Sequence, residues 1–167
     1  MRPLVALLLL AACAAPPEEQ SDWERRHLAP AWQEHETALP PYPAAASLLE
    51  FAVPESGGFR FFVDARSLAV GDDAVVRYVL VARSPNRVDN VSFEGLRCAT
   101  GEYRIYATGH ADSAWAVRAG DWQPLSGPRG GPWRQVLQRD YFCEKGQPIR
   151  DGEEGLRALR QGGRSES

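Results

Sequence analysis

The chain has 167 residues, of which 44% are hydrophobic, and its 22 acidic and 19 basic side chains give a formal net charge of −3. This length fits one ordinary domain, and a mildly acidic chain without a Lys/Arg-rich run lacks the basic surface that nucleic-acid binding requires. We therefore expect a single domain without a nucleic-acid partner.

The first twelve residues are typical of an export signal. Arg2 precedes an apolar stretch from Leu4 to Ala12, which is much shorter than the about 20 apolar residues that span a bilayer. The stretch ends in Leu10-Ala11-Ala12-Cys13, which is similar to the lipobox of bacterial lipoproteins. The sequence thus predicts a lipoprotein signal peptide over 1–12 and lipid attachment at Cys13. The alternative is an ordinary signal peptide in which this cysteine is incidental.

Lipid on Cys13 would determine where the protein resides. Each buried acyl CH₂ contributes about 0.8 kcal/mol, so several chains, palmitate among them, would anchor the protein stably in a membrane. Ala14 follows the cysteine and favours sorting to the outer membrane of a Gram-negative cell, with the domain facing the periplasm.

Residues 13–46 are polar and then rich in proline. A short helix over Asp22–Leu28 is plausible before Pro30 interrupts its pattern, because proline breaks a helix interior. We interpret 13–46 as a lipidated tether, 47–161 as one β-rich domain and 162–167 as a disordered tail.

The domain begins with runs rich in valine and aromatic residues that alternate in polarity, the pattern of β-strands. Turn-forming residues separate these runs at spacings suited to antiparallel hairpins. The predicted strands are Phe59–Ala65, Ala74–Arg83, Asp89–Cys98, Glu102–Thr108, Trp115–Val117 and Trp122–Leu125. Apolar residues occupy both faces of Ala74–Arg83, so we expect this strand to lie at the centre of the sheet.

A helix is predicted at the end of the domain. Asp151 can cap it, Glu154 completes a capping-box pair three residues later, and Leu156 and Leu159 form its apolar stripe. Gly162 ends it. The segment Trp133–Leu137 fits either a helix or an extended chain.

Cys98 and Cys143 remain as an even pair once Cys13 carries lipid. In an oxidising compartment such a pair normally forms a structural disulfide, and closing a loop of about 45 residues stabilises a fold by about 4 kcal/mol. Metal ligation and a catalytic thiol are the alternatives, but neither cysteine lies in a CxxC motif or beside a histidine.

The three histidines, His27, His35 and His110, do not have the spacing of a metal site. No Gly-x-Ser-x-Gly motif is present to expose a nucleophilic serine. We therefore predict no metal, no cofactor and no catalytic residue.

A polar cluster lies on the predicted strands and is the place where carboxylates could perform acid and base chemistry if they converged. Its members are Asp64, Arg77, Glu94, Arg97 and Glu102. Charged residues that alternate with apolar ones on a sheet more often form a solvated face or cross-strand ion pairs. We prefer this second interpretation.

Aromatic residues on the strands allow a ligand groove as well as a core, because ring faces stack on sugars and lipids as well as on one another. The residues concerned are Trp115, Trp122, Trp133, Tyr103 and Tyr106. We favour core packing and keep a groove as the best binding hypothesis.

Several segments resemble the CNP-one-like (CNP1-like) family of uncharacterised proteobacterial envelope proteins. They are Phe61–Asp64, Val75–Tyr78, Asn90–Cys98 with its Glu-Gly-Leu-Arg-Cys element, Glu102–Ala107 and Tyr141–Cys143. The resemblance covers about Trp32 to Leu159 and implies a two-cysteine core and an envelope address, but no activity. At Asp72-Asp73-Ala74 the family pattern leads us to expect glycine in place of Ala74.

These observations together predict a mainly β, α+β domain. Its antiparallel meander forms an open sheet or partial barrel, covered by one C-terminal helix and closed by one disulfide. The leading functional hypothesis is a non-enzymatic module that the lipid on Cys13 tethers to the outer membrane, where it meets a protein or cell-wall partner. The alternatives are a carrier of small apolar ligands, such as lipid, and a hydrolase of envelope polymers that uses Asp64, Glu94 or Glu102.

Overall fold

The computed structural model describes residues 31–110 and 112–164. The predicted signal peptide, the lipid site at Cys13 and the helix at Asp22–Leu28 lie outside these residues and stay predictions. Among the described residues, no helix combines the length and apolar character needed to cross a membrane.

Eight antiparallel strands of the described chain form the main sheet, and the alternating runs of the sequence form most of them. They are β1 (Leu48–Phe51), β2 (Arg60–Asp64), β3 (Ala69–Val70), β4 (Val75–Arg83), β5 (Asp89–Arg97), β6 (Glu102–Gly109), β7 (Trp115–Val117) and β8 (Gln123–Pro124). The principal order is β1-β2-β4-β5-β6-β7, with β3 on β4 and β8 on β6. The sheet is open, which is the first of the two predicted alternatives.

Strand β4 lies at the centre of the sheet. It pairs with β2 on one side and along nine residues with β5 on the other. Residues 75–81 are all buried, which confirms the expectation from their two-sided apolar pattern. A β-bulge between β5 and β6 follows Phe93, and the extra residue on β6 is Tyr106.

Helices cover one face of the sheet. Helix α1 (Pro132–Val136) continues into a π-helical segment (Leu137–Phe142), and helix α2 (Gly152–Gln161) follows a small hairpin. Together with the sheet they enclose the main core, whose least exposed side chains include Tyr78, Leu96, Leu137 and Phe142. We call this face of the sheet the helix face.

The cap of α2 is as the sequence predicts, with one difference. The Asp151 carboxylate accepts a hydrogen bond from the Glu154 N–H at 2.8 Å. The Glu154 carboxylate, however, accepts from the N–H of Arg150 rather than from that of the capping residue. Gly162 ends the helix in the left-handed conformation, with a φ of 78°.

The disulfide predicted between Cys98 and Cys143 is present, with an S–S distance of 2.01 Å. It joins the end of β5 to β9 (Cys143–Glu144), the first strand of a hairpin whose second strand is β10 (Gln147–Pro148). Lys145 and Gly146 form the tip, both with positive φ, which is the geometry of a tight two-residue hairpin turn.

Residues 33–44 contain neither helix nor strand and lie along the opposite face of the sheet. We call this segment the strap and this face the strap face. A second, smaller core lies on this face and includes Phe62, Val79, Phe93 and Ala107. The C-terminal part of the predicted tether thus contacts the sheet, whereas residues 13–30 lie outside the described chain.

Candidate functional site

Glu34, on the strap, is the acceptor in the most convergent polar contact of the strap face. The Arg104 guanidinium donates to its Oε2 atom at 2.5 Å, the Trp122 indole N–H donates to Oε2 at 3.0 Å, and the Tyr106 hydroxyl donates to Oε1 at 2.7 Å. Three donors of different chemistry thus surround one carboxylate. Burial raises the pKa of Glu34, but these hydrogen bonds outweigh it, so the pKa lies below its ordinary value.

The residue after Glu34 is held through its backbone. The His35 N–H donates to Asp73 Oδ2 at 2.9 Å, and its carbonyl accepts from Arg77 Nη2 at 3.2 Å. Arg77 also donates two hydrogen bonds to Asp73, from Nη1 to Oδ1 at 2.9 Å and from Nη2 to Oδ2 at 2.5 Å. Burial raises the pKa of Asp73, but hydrogen bonds from Arg77 and from the His35 N–H lower it to about 2.

The Tyr106 ring lies close to both guanidinium groups of this site. The Arg77 and Arg104 Cζ atoms are 5.7 and 5.5 Å from its centroid, within the range of cation–π attraction. Burial and the hydrogen bond to Glu34 raise the pKa of the Tyr106 hydroxyl, so the hydroxyl remains a donor at neutral pH.

Glycine at position 95 makes room for this ring. A Cβ atom on Gly95 would lie 2.5 Å from the Tyr106 hydroxyl oxygen, which is far closer than non-bonded atoms approach. Gly109 has the same relation to Tyr42 of the strap. Gly95 lies inside the predicted strand Asp89–Cys98, and a glycine inside a strand often marks such a close approach. This is the signal in the sequence that could have indicated the contact with Tyr106.

The strap is also held towards its C-terminal end. The Trp115 indole donates to the Pro40 carbonyl at 2.9 Å, and Arg66 donates to the Tyr42 carbonyl at 3.1 Å. A depression of about 320 Å³ opens beside Glu34, between strap residues 34–37 and the side chains of Arg104 and Tyr106. The candidate site is therefore polar and partly filled by the chain itself.

The five residues of the predicted polar cluster do not converge on one site, and only Arg97 and Glu102 contact each other. Glu94 points to the helix face, where the Arg134 guanidinium donates one hydrogen bond of 2.7 Å to each carboxylate oxygen. Ser92 donates to Oε1 of Glu94 at 2.6 Å and Tyr78 to Oε2 at 3.3 Å. The pair is almost fully buried, with Glu94 0% and Arg134 5% exposed.

The other four members lie at three further positions. Arg97 and Glu102 form the expected cross-strand ion pair at 2.9 Å. Arg77 belongs to the strap-face site. Asp64 is buried, and its Oδ1 atom lies 3.6 Å from Arg66 Nε. Each carboxylate therefore has a different arginine as its partner. Asp64, Arg77 and Glu94 are buried rather than solvated because the helices or the strap cover the sheet at these points.

The aromatic residues divide between the two faces and do not form one groove. Tyr103 and Trp133 pack with the main core, whereas Tyr106 and Trp115 pack with the smaller one. A wide depression of about 1140 Å³ lies between α2 and the π-helical segment, and its lining includes four arginines and three acidic residues. This lining suits a polar rather than an apolar ligand.

No group of three potential metal ligands occurs within 31–110 and 112–164. His35 and His110, the two histidines in this part of the chain, take part in the strap contacts through their backbone atoms. His27 lies outside the described residues.

Residues 27–160 match the profile of the CNP1-like family. The chain is also 30% identical over 135 residues to "Cryptic neisserial protein 1" of Neisseria gonorrhoeae, an alignment that covers 70% of this chain and 66% of that protein. The chain therefore spans slightly less than two thirds of this relative's length. No solved structure matches.

Proposed function

The chain belongs to the CNP1-like family, and we propose that it is a lipid-anchored protein of the cell envelope whose domain binds a partner and performs no catalysis. Lipid on Cys13 holds it at the outer membrane, and the domain faces the periplasm. Its partner there is a protein or a component of the cell wall.

Two features support the envelope address. The lipobox-like Leu10-Ala11-Ala12-Cys13 follows an apolar stretch at the start of the chain. The Cys98–Cys143 disulfide belongs to the kind of bond that persists in the periplasm and on cell surfaces and is rare in a reducing cytosol.

The main argument for binding rather than catalysis is that the buried carboxylate Glu94 is already fully paired. Both oxygens of Glu94 already accept two hydrogen bonds each, from Arg134 and from Ser92 or Tyr78. A general acid or base must reach a proton of the substrate, and Glu94 is closed to solvent. The strap face, by contrast, presents donors that converge on a carboxylate at a partly open site.

Replacement of the acylated cysteine tests the anchor. We expect the wild-type protein to sediment with outer membranes and to need detergent for release, and Cys13→Ser to be lost from the outer-membrane fraction. Ala15→Ser, just beyond the lipobox, serves as the matched control and should stay with the membrane. Unchanged localisation of Cys13→Ser would remove the basis for the anchor.

A native mass spectrum of protein purified from its own envelope separates binding to a partner from ligand transport. We expect a mass that includes the acyl chains and lacks the two hydrogens lost in the disulfide, with no bound small molecule. Non-covalent mass of a lipid would instead favour the carrier.

A further inference from the structure

Glu34 occupies its site as a ligand would. Arg104 and Tyr106 come from β6 and Trp122 from the segment before β8, and all three donate to the same carboxylate. Arg77 beside them pairs closely with Asp73 and lies 3.9 Å from Glu34 Oε1, whereas Glu34 is the acidic partner of Arg104. Without the strap, the site would hold a partly buried cation facing an empty position, which favours an anion.

The site has donor capacity that Glu34 does not use. The Nε atoms of Arg77 and Arg104 are buried, and neither has a hydrogen-bond partner. The Arg77 side chain is only 8% exposed. Buried donors of this kind are normally satisfied by a water molecule or a bound group, so Glu34 does not use the full hydrogen-bonding capacity of the two guanidinium groups.

The contacts define the chemistry of that occupant. The site binds the side-chain carboxylate of one residue and the backbone N–H and carbonyl of the next, through Asp73 and Arg77. The His35 side chain is not needed for these contacts. An extended peptide with glutamate followed by almost any residue can make the same set, because backbone groups are common to all residues.

The strap remains largely exposed although it occupies the site. It contributes no strand to the sheet, and seven of its twelve residues are exposed. Apart from Glu34 and His35, it is held mainly near Pro40 and Tyr42. Its advantage over a separate peptide is its covalent attachment, which corresponds to an effective concentration on the order of millimolar.

We propose that Arg104, Tyr106 and Trp122 form a recognition site for an extended glutamate-containing segment of a partner protein, and that the strap occupies this site until such a segment displaces it. The inference rests on the proposed binding role and specifies its partner. It concerns purified protein and peptide, so its failure would leave the localisation of Cys13→Ser unaffected.

A fluorescent peptide that copies residues 33–40 tests the site by anisotropy. We expect full-length Glu34→Ala, whose strap no longer fills the site, to bind this peptide at least tenfold more tightly than the wild-type protein, because covalent competition is removed. Glu36→Gln changes an exposed carboxylate two residues away and should behave as the wild type. A peptide with glutamine at the Glu34 position should bind at least tenfold more weakly, since it lacks the charge.

Two further variants locate the binding. In the Glu34→Ala background, Arg104→Ala should abolish binding, and Tyr106→Phe, which keeps the ring and removes the donor, should weaken it roughly tenfold. Thermal unfolding of each variant confirms that it is folded. Absence of binding to folded Glu34→Ala, or binding that Tyr106→Phe and Arg104→Ala leave unchanged, would overturn the proposal and make the strap a permanent part of the fold.

Discussion

Arg134 is the residue that fixes helix α1 on the sheet. It forms two charged hydrogen bonds with Glu94, donates to the Gly130 carbonyl at 3.1 Å, and stacks over the Tyr103 ring at 4.2 Å. A buried pair contributes little net stability compared with apolar residues of the same shape, but removal of one partner costs about 3–5 kcal/mol. We therefore expect the pair to contribute more to the position of α1 than to the net stability of the fold.

Ala74 lies in a conformation that favours glycine. Its φ is 60°, in the turn where the family pattern predicts glycine, and the side chain is exposed. The left-handed region costs an alanine about 1 kcal/mol or slightly more relative to glycine, and part of this is offset by the greater freedom of glycine in the unfolded chain.

We therefore expect Ala74→Gly to raise the free energy of unfolding by roughly 0.5–1 kcal/mol in urea denaturation. Ala44→Gly is the matched control, because Ala44 is also exposed but has a φ of −101°. It should lower stability slightly. A loss of stability in Ala74→Gly would contradict the assignment of strain to this turn.

At the scale of elements, the strap depends on two carboxylates. The pKa of Glu34 is lowered, and that of Asp73 falls to about 2 from 3.8. Both groups have lower pKa values in the folded chain than in the unfolded chain, so the unfolded chain binds more protons in acid. The stability that they contribute is complete above their unfolded values and is lost as the pH falls towards about 2.

This linkage predicts an acid-sensitive fold. From pH 5 to pH 2, we expect the free energy of unfolding to fall by about 2 kcal/mol through Asp73 alone. Asp73→Asn should be less stable at pH 7 and lose less on acidification, whereas Asp72→Asn, at an exposed neighbour, should follow the wild type. Urea denaturation across this pH range measures the effect, and a wild-type slope in Asp73→Asn would disprove it.

Six of the eight strands in the main sheet were predictable because local alternation and turn residues determine them, whereas β1 and β3 were not predicted. The bounds expected for Ala74–Arg83 and Asp89–Cys98 differ from β4 and β5 by one residue. The strap contacts were not predictable in this way. The partners of Glu34 lie 70 to 88 residues away, and a polar, proline-rich segment has the same composition whether or not it contacts a sheet.

The alternation of side chains along a strand could have predicted which members of the polar cluster share a face of the sheet. Glu94 and Arg97 are three residues apart on β5, so they point to opposite faces of the sheet. Arg97 lies directly across from Glu102 in the register, a pair that the sequence allowed. The partner of Glu94 comes from α1, whose extent and position the sequence left open.

At the scale of the whole molecule, the disulfide encloses a large part of the domain. Strands β6 to β8, helix α1 and the π-helical segment all lie between Cys98 and Cys143. Closure of a loop with a separation of 45 residues restricts the unfolded chain and stabilises the fold by about 4 kcal/mol.

We expect the Cys98→Ser/Cys143→Ser double variant to lose about 4 kcal/mol of unfolding free energy in urea. Reductant should leave the urea midpoint of this variant unchanged. When the wild-type protein is unfolded and refolded in the presence of reductant, its urea midpoint should equal that of the variant. A loss below about 1 kcal/mol would mean that the bond constrains the unfolded chain very little.

Lys145, at the tip of the β9–β10 hairpin, is the only lysine among the 19 basic residues. It is exposed and lies two positions after a cysteine of the disulfide. If the amino terminus is acylated, an amine-reactive reagent can attach a surface, a dye or a cross-linker to this protein at one defined point. Amine cross-linking will then capture only those partners that come within reach of this hairpin.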